Sequence, residues 1–151
     1  MGGMQTFEWI VRYPNFMKKA VPIIGSPKLT TADLLLWQAE MRAIEAAETC
    51  HCDRRKMMFA VQAMHRQLRA MMSQDVAANA GGSMQRAAAS VKARTLVVIA
   101  TQDHMVNPTP ALHFAEGANA EVLKLTGNCG HMATGCESVK MTAAVRAFPA
   151  Q

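Results

Sequence analysis

Asp103 and His131 are the two side chains of this sequence best placed for acid-base chemistry. Asp103 stands in Thr101-Gln102-Asp103-His104, directly after the β-branched apolar run 95–100; His131 stands in Gly127-Asn128-Cys129-Gly130-His131, directly after a second strand-like run, 121–125. Ligands and catalytic groups of open parallel sheets collect at the carboxyl ends of the strands, and both residues fall there. A carboxylate that reaches an imidazole fixes its tautomer and stabilises imidazolium, which is the base-and-orienter half of a nucleophilic triad. Gly130 frees the backbone just before the histidine.

Other residues compete for chemistry. Gly81-Gly82-Ser83-Met84 mimics a nucleophile turn and precedes Asp103 and His131, but residues 77–80 form no strand to lead into it, so Ser83 reads as a helix cap. Cys129, two residues before His131, reads as a buried thiol. Cys50-His51-Cys52 and the Cys129, His131, Cys136 group offer zinc ligands, but neither has the C-x-x-C spacing of a structural knuckle, and the reading is that no metal is bound.

The elements that must position Asp103 and His131 follow from apolar spacing. Met4, Phe7, Ile10 and Val11 predict a helix over 1–13, stopped by Pro14. Residues 20–24 are a short apolar run predicted to be a strand buried on both faces, with Pro22 the residue least suited to it. Thr30-x-x-Asp33 has the form of a capping box, and Leu34, Trp37, Met41 and Ile44 then make one stripe to about residue 48. After a break at 50–53, Met57, Val61, Met64, Leu68 and Met71 make a second stripe. A loop over 77–82 and a short helix to about 90, a central strand over 95–100, a helix over 110–116, a strand over 121–125 and a closing helix over 138–148 complete the chain. Strand, helix, strand, helix implies a short parallel sheet of about three strands flanked by helices, the α/β class. The division predicted is a core of 1–25 and 91–151 with a helical lid insertion at 26–90.

Composition narrows the function classes. With 151 residues, half hydrophobic and 18% charged, the chain is of globular type, and its core at this size needs no disulfide or metal. The four cysteines are therefore expected as thiols in a reducing cytoplasm. Neither a signal peptide nor a bilayer-spanning run is expected. Although the net charge is +5, the dense basic runs are only Lys18-Lys19 and Arg54-Arg55-Lys56, with no interleaved aromatic residues, so nucleic acid is not expected as a partner. Thirteen methionines suit irregular cores and adaptable apolar pockets better than a copper site.

Met1-Gly2-Gly3-Met4-Gln5, then Glu8-Trp9 and Arg12-Tyr13-Pro14, resembles the stretch directly after the nucleophile in α/β-hydrolase-fold proteins of the homoserine O-acetyltransferase type, where the elbow reads G-x-S-M-G-G. The stretch 95–108, with Gln102-Asp103-His104-Met105-Val106-Asn107-Pro108, is similar to that family's acid loop, and Gly130-His131 to its histidine loop. The resemblance covers nearly the whole chain, and the motifs come in the order nucleophile, acid, base. It implies a partial α/β-hydrolase fold, Asp103 and His131 as catalytic acid and base, and Met1, Gly2 and Gly3 as the remnant of the elbow and its oxyanion hole. In the family the serine immediately precedes the Met1 position, so the nucleophile is expected outside these residues and the chain alone is expected to be inactive.

By the same resemblance, the substrates are a small-molecule acyl donor such as an acyl-CoA and a hydroxyl compound or water as acceptor, with no cofactor and with a homodimer contact through the lid. A chain that begins after the nucleophile also leaves the 20–24 strand without one neighbour, so poor solubility is expected. The alternative reading is a non-catalytic binding or assembly module that pairs through that exposed sheet edge.

Overall fold

The structure, a computed structural model, describes residues 1–49 and 54–148, with side chains described outside 47–62. The chain opens with α1 (Gly2–Arg12), which buries Met4, Phe7, Ile10 and Val11 and ends just before Pro14. Next come β1 (Lys19–Ala20), α2 (Thr31–Thr49), α3 (Arg54–Met72), a 3-10 helix at Val76–Ala80, and α4 (Met84–Ala89). The last part runs β2 (Arg94–Ala100), α5 (Thr109–Gly117), β3 (Glu121–Leu125), a 3-10 turn at Gly130–Met132, α6 (Ala133–Cys136) and α7 (Ser138–Ala147).

The three strands form one parallel sheet in the order β1-β2-β3. In β2, six consecutive residues from Thr95 to Ala100 are buried, as expected of a strand covered on both faces. Its side chains divide between two clusters. Val97 and Ile99 join Phe7 and Ile10 of α1, Ala87 and Ala88 of α4, and Phe114 of α5. Leu96, Val98 and Ala100 join Leu125, Ala133 and Phe148 on the opposite face. The rings of Phe7 and Phe114 meet edge to face, 5.1 Å apart, and tie α1 to α5.

The strand predicted at 20–24 is shorter than expected. Regular pairing is confined to Lys19–Ala20 and resumes only as a bridge between Ile23 and Val98. Pro22 is the reason: its carbonyl accepts from the Val98 amide at 3.0 Å, but it has no N–H to return to the ladder. Beyond it the backbone turns at Ile24, with φ of 42°, and passes against the start of α1. A side chain on Gly3 would meet the Ile23 carbonyl and the Gly25 amide, and one on Gly25 would meet the backbone of Gly3 and Met4, so both positions require glycine.

The loop predicted at 77–82 also differs, because Val76–Ala80 winds into a 3-10 helix capped by the Asp75 side chain and buries Val76 and Ala77 in the core. Ser83 caps α4, its hydroxyl accepting from the Arg86 amide. In the 26–90 stretch, α2 and α3 pack together on a third cluster, Met4, Leu29, Trp37, Leu68 and Val106, with Leu34, Met41, Ile44 and Met71 partly buried against it. Met64, expected on that stripe, is exposed instead. Met57, Val61 and the Cys50-His51-Cys52 group lie outside the described side chains. Among the described residues, no helix is long and apolar enough to cross a membrane.

Candidate active site

The site is built where β2 and β3 end side by side, in the register Ala100 to Leu125. The Thr101 amide donates to the Leu125 carbonyl at 2.9 Å, which holds the two following loops together. Asp103 and His131, one on each loop, meet there: His131 Nδ1 lies 2.7 Å from Asp103 Oδ2. The carboxylate is buried, with 5% of Asp103 exposed, whereas the imidazole is about a third exposed. Asp103 Oδ1 accepts from the amides of Met105 and Val106, both at 2.9 Å. Burial pushes the Asp103 carboxyl upward, but the bond to His131 and these two amides outweigh it and hold the group below its ordinary value. An acid that stays ionised in a dry place is what orienting an imidazole requires. Among the described residues the His131 side chain makes this one hydrogen bond, through Nδ1, and Nε2 has no protein partner.

The loop carrying His131 is shaped by two features. Gly130 has φ of 53°, and a Cβ there would sit 3.1 Å from the Gln102 carbonyl, so glycine lets the His131 loop close on the Asp103 loop. Glu137 Oε1 accepts from the Gly127 amide at 2.7 Å and fixes the start of the loop, a contact with no signal in the spacing of the two residues. That amide, ahead of the opposing burial and the nearby Lys140 ammonium, keeps the Glu137 carboxyl below its ordinary value.

The expectation that the cysteines are thiols is overturned for two of them. Cys129 and Cys136 form a disulfide that brackets His131, closing 7 positions of sequence with Cα atoms 6.5 Å apart. The 3-10 turn and α6 bring the chain back over itself, which the spacing alone does not reveal. With the sulfurs joined, neither serves as a thiolate ligand or nucleophile, and these two residues do not speak for a reducing compartment. Among the described residues, no cluster of three His, Cys, Asp or Glu is arranged to hold a metal.

Met1, Gly2 and Gly3 stand at the start of α1 and make no hydrogen bond to Asp103 or His131 among the described residues; the Met1 carbonyl accepts from the Gln5 amide and the Gly2 carbonyl from the Thr6 hydroxyl. The link between that helix and the site is Met4, which shares a cluster with Val106 of the acid loop. An open cleft of about 380 Å³ lies beside the paired loops, lined by Gln102, His104, Asn128, Cys129 and Gly130.

No protein-family model matches the chain. Among solved structures it superimposes on MGS-M2, an α/β hydrolase enzyme from a Medee basin deep-sea metagenome library, with a TM-score of 0.77 at 18% identity, over 99% of this chain and 62% of that one. This is a partial α/β-hydrolase fold. The chain is also similar to homoserine O-acetyltransferase from Bacillus anthracis, with a TM-score of 0.67 at 17% identity, over 87% of this chain and 53% of that one.

Two curated relatives share short segments with it. A probable esterase of Corynebacterium glutamicum is 44% identical over 46 residues, 30% of this chain and 13% of that protein. The ethyl acetate hydrolase of Pseudomonas veronii is 43% identical over 44 residues, 29% of this chain and 13% of that protein. The α/β-hydrolase fold seen here thus spans little more than half of the two solved structures, and each curated match covers a small part of its relative.

Proposed function

We propose that this chain supplies the acid and base of a Ser-His-Asp enzyme that cleaves small acyl esters, with the nucleophile contributed from outside these 151 residues. The observation that carries this reading is the 2.7 Å contact between a buried, ionised Asp103 and Nδ1 of a histidine whose side chain is about a third exposed. Asp103 accepts a hydrogen bond from Nδ1–H and so keeps Nε2 free of hydrogen. Nε2 takes the serine proton as the hydroxyl attacks the acyl carbon, and Asp103 stabilises the imidazolium that results. The imidazolium then gives that proton to the departing alkoxide, leaving an acyl-serine. In the second half Nε2 takes a proton from the acceptor as it attacks the acyl carbon, and returns it to the serine oxygen.

The printed activities of the curated relatives, an esterase and an ethyl acetate hydrolase, support water as the acceptor and an acetyl-sized acyl group. A hydroxyl acceptor and an acyl-CoA donor would give the transferase version of the same cycle, which the likeness to homoserine O-acetyltransferase supports. Neither relative favours the assembly-module reading. Met1, Gly2 and Gly3 would carry the turn after the serine, the Met1 backbone N–H entering the oxyanion hole once it is part of a peptide bond.

The test uses 4-nitrophenyl acetate. The chain alone is expected to show no His131-dependent turnover. The chain joined to a segment carrying the G-x-S strand is expected to hydrolyse the ester and to lose about a thousandfold or more on His131→Ala. Turnover by the joined protein that survives both His131→Ala and Asp103→Asn would overturn the proposal.

A further inference from the structure

Met105, Val106 and Asn107, two to four positions past Asp103, are held from two sides. From one side, Asp103 takes the amides of Met105 and Val106. From the other, α2 takes what remains: Trp37 Nε1 donates to the Met105 carbonyl at 3.0 Å, and the Asn107 amide donates to Asp33 Oδ1 at 3.0 Å. Asp33 and Trp37 are one helical turn apart on the same face, and both are buried, with 4% and 2% exposed. Val106 is pressed between these contacts in the cluster with Met4, Leu29, Trp37 and Leu68.

Capping explains only half of Asp33. Its Oδ2 accepts from the Thr30 amide at 2.8 Å and the Thr30 hydroxyl at 2.7 Å, while the Asp33 amide donates to Thr30 Oγ1 at 3.2 Å, which completes the reciprocal box at the start of α2. Starting the helix makes no use of Oδ1, yet that oxygen reaches a backbone amide 74 positions away on the acid loop.

We infer that Asp33 and Trp37 are positioning residues that couple the seating of α2 to the orientation of Asp103. The inference rests on the proposed role of Asp103 as the acid. If α2 moves away, the Met105 carbonyl and the Asn107 amide lose their partners. The turn that aims the Met105 and Val106 amides at Oδ1 then loosens, and the carboxylate no longer holds one direction toward His131. A substrate that displaces or settles the helical pair would thereby loosen or sharpen the base's alignment.

Solution NMR on the full 151-residue chain tests this through the His131 Nδ1 proton, whose far-downfield resonance reports its bond to Asp103. Asp33→Ala and Trp37→Phe are each expected to speed exchange of that proton with water by about tenfold, the loss of one good hydrogen bond. Thr30→Val, which removes the cap but leaves Oδ1 free to hold Asn107, is expected to lower the melting temperature and leave the exchange rate unchanged. A role of Asp33 confined to capping would make Thr30→Val and Asp33→Ala behave alike, and that result would overturn the inference. In the unmodified chain, a scalar coupling across the hydrogen bond from the Asn107 amide to the Asp33 carboxyl carbon is expected. Its absence overturns the inference even where a variant fails to fold. Absence of the downfield resonance in the unmodified chain would instead remove the Asp103–His131 reading itself.

Discussion

Asp103 keeps a negative charge in surroundings that discourage one, because three donors converge on it: the His131 ring and two consecutive backbone amides. The folded protein holds this carboxyl below its ordinary value of 3.8, so ionised Asp103 contributes stability that is fully present above that value. The contribution is lost as the pH falls through the lower value of the folded state. In urea melts, Asp103→Asn is expected to cost about 1–3 kcal/mol at pH 7, as for a buried group whose charge-assisted bonds are weakened. The gap from the unmodified chain should narrow steadily below about pH 4. A gap of constant size down to pH 2.5 would show that the charge itself contributes nothing. The pair was legible in the sequence because each residue directly follows an apolar strand-forming run, and strand ends of a parallel sheet are neighbours. Asp33 was legible only as a cap: the spacing to Thr30 is local, but the hydrogen bond to Asn107 depends on where α2 comes to rest.

Elements show the same division between local and distant causes. α1, α2 and β2 follow the apolar spacing closely, the two helices each burying a stripe and the strand a continuous run, whereas β3 and α7 lie where expected although β3 buries only Leu125 and α7 no residue. β1 does not, because the run 20–24 looks equally apolar throughout while one missing N–H at Pro22 interrupts the ladder. The close passage of α1 over residues 23–25 was likewise invisible, although the glycines that permit it stand in the sequence. Gly3→Ala would press its methyl group on the Ile23 carbonyl, with the Gly25 amide 3.0 Å away, and both neighbours are backbone with little freedom to yield. The expected cost is about 1–3 kcal/mol, the usual range for overpacking. Gly2→Ala, which meets nothing within 4 Å, serves as the control and should leave the denaturation midpoint unchanged or slightly raised. Equal midpoints for the two variants would contradict the close passage.

For the molecule as a whole, the disulfide between Cys129 and Cys136 is the one covalent tie among the described residues, and it closes on the loop that carries His131. The bond joins residues only seven positions apart, so it ties one loop and does not link the two apolar clusters on either side of the sheet. A closed loop of this length is worth about 2 kcal/mol on chain-entropy grounds. For a chain of 151 residues that corresponds to roughly 4–8 °C in melting temperature. The double variant Cys129→Ser, Cys136→Ser is expected to melt lower by that amount, and a reductant to have no further effect on its base loop. A double variant that melts with the unmodified chain would show that the loop keeps its shape unaided.

The two indoles of this chain occupy unlike surroundings. Trp37 is 2% exposed and gives its N–H to the acid loop, whereas Trp9 is 44% exposed and leans on the rings of Tyr13 and Phe16. One emission spectrum therefore carries two voices: a red component open to iodide from the outer face of α1, and a blue, shielded component from beneath the helical pair. Selective quenching separates them, and the shielded component becomes an optical gauge of whether α2 is docked on the acid loop, readable at micromolar concentration without any label.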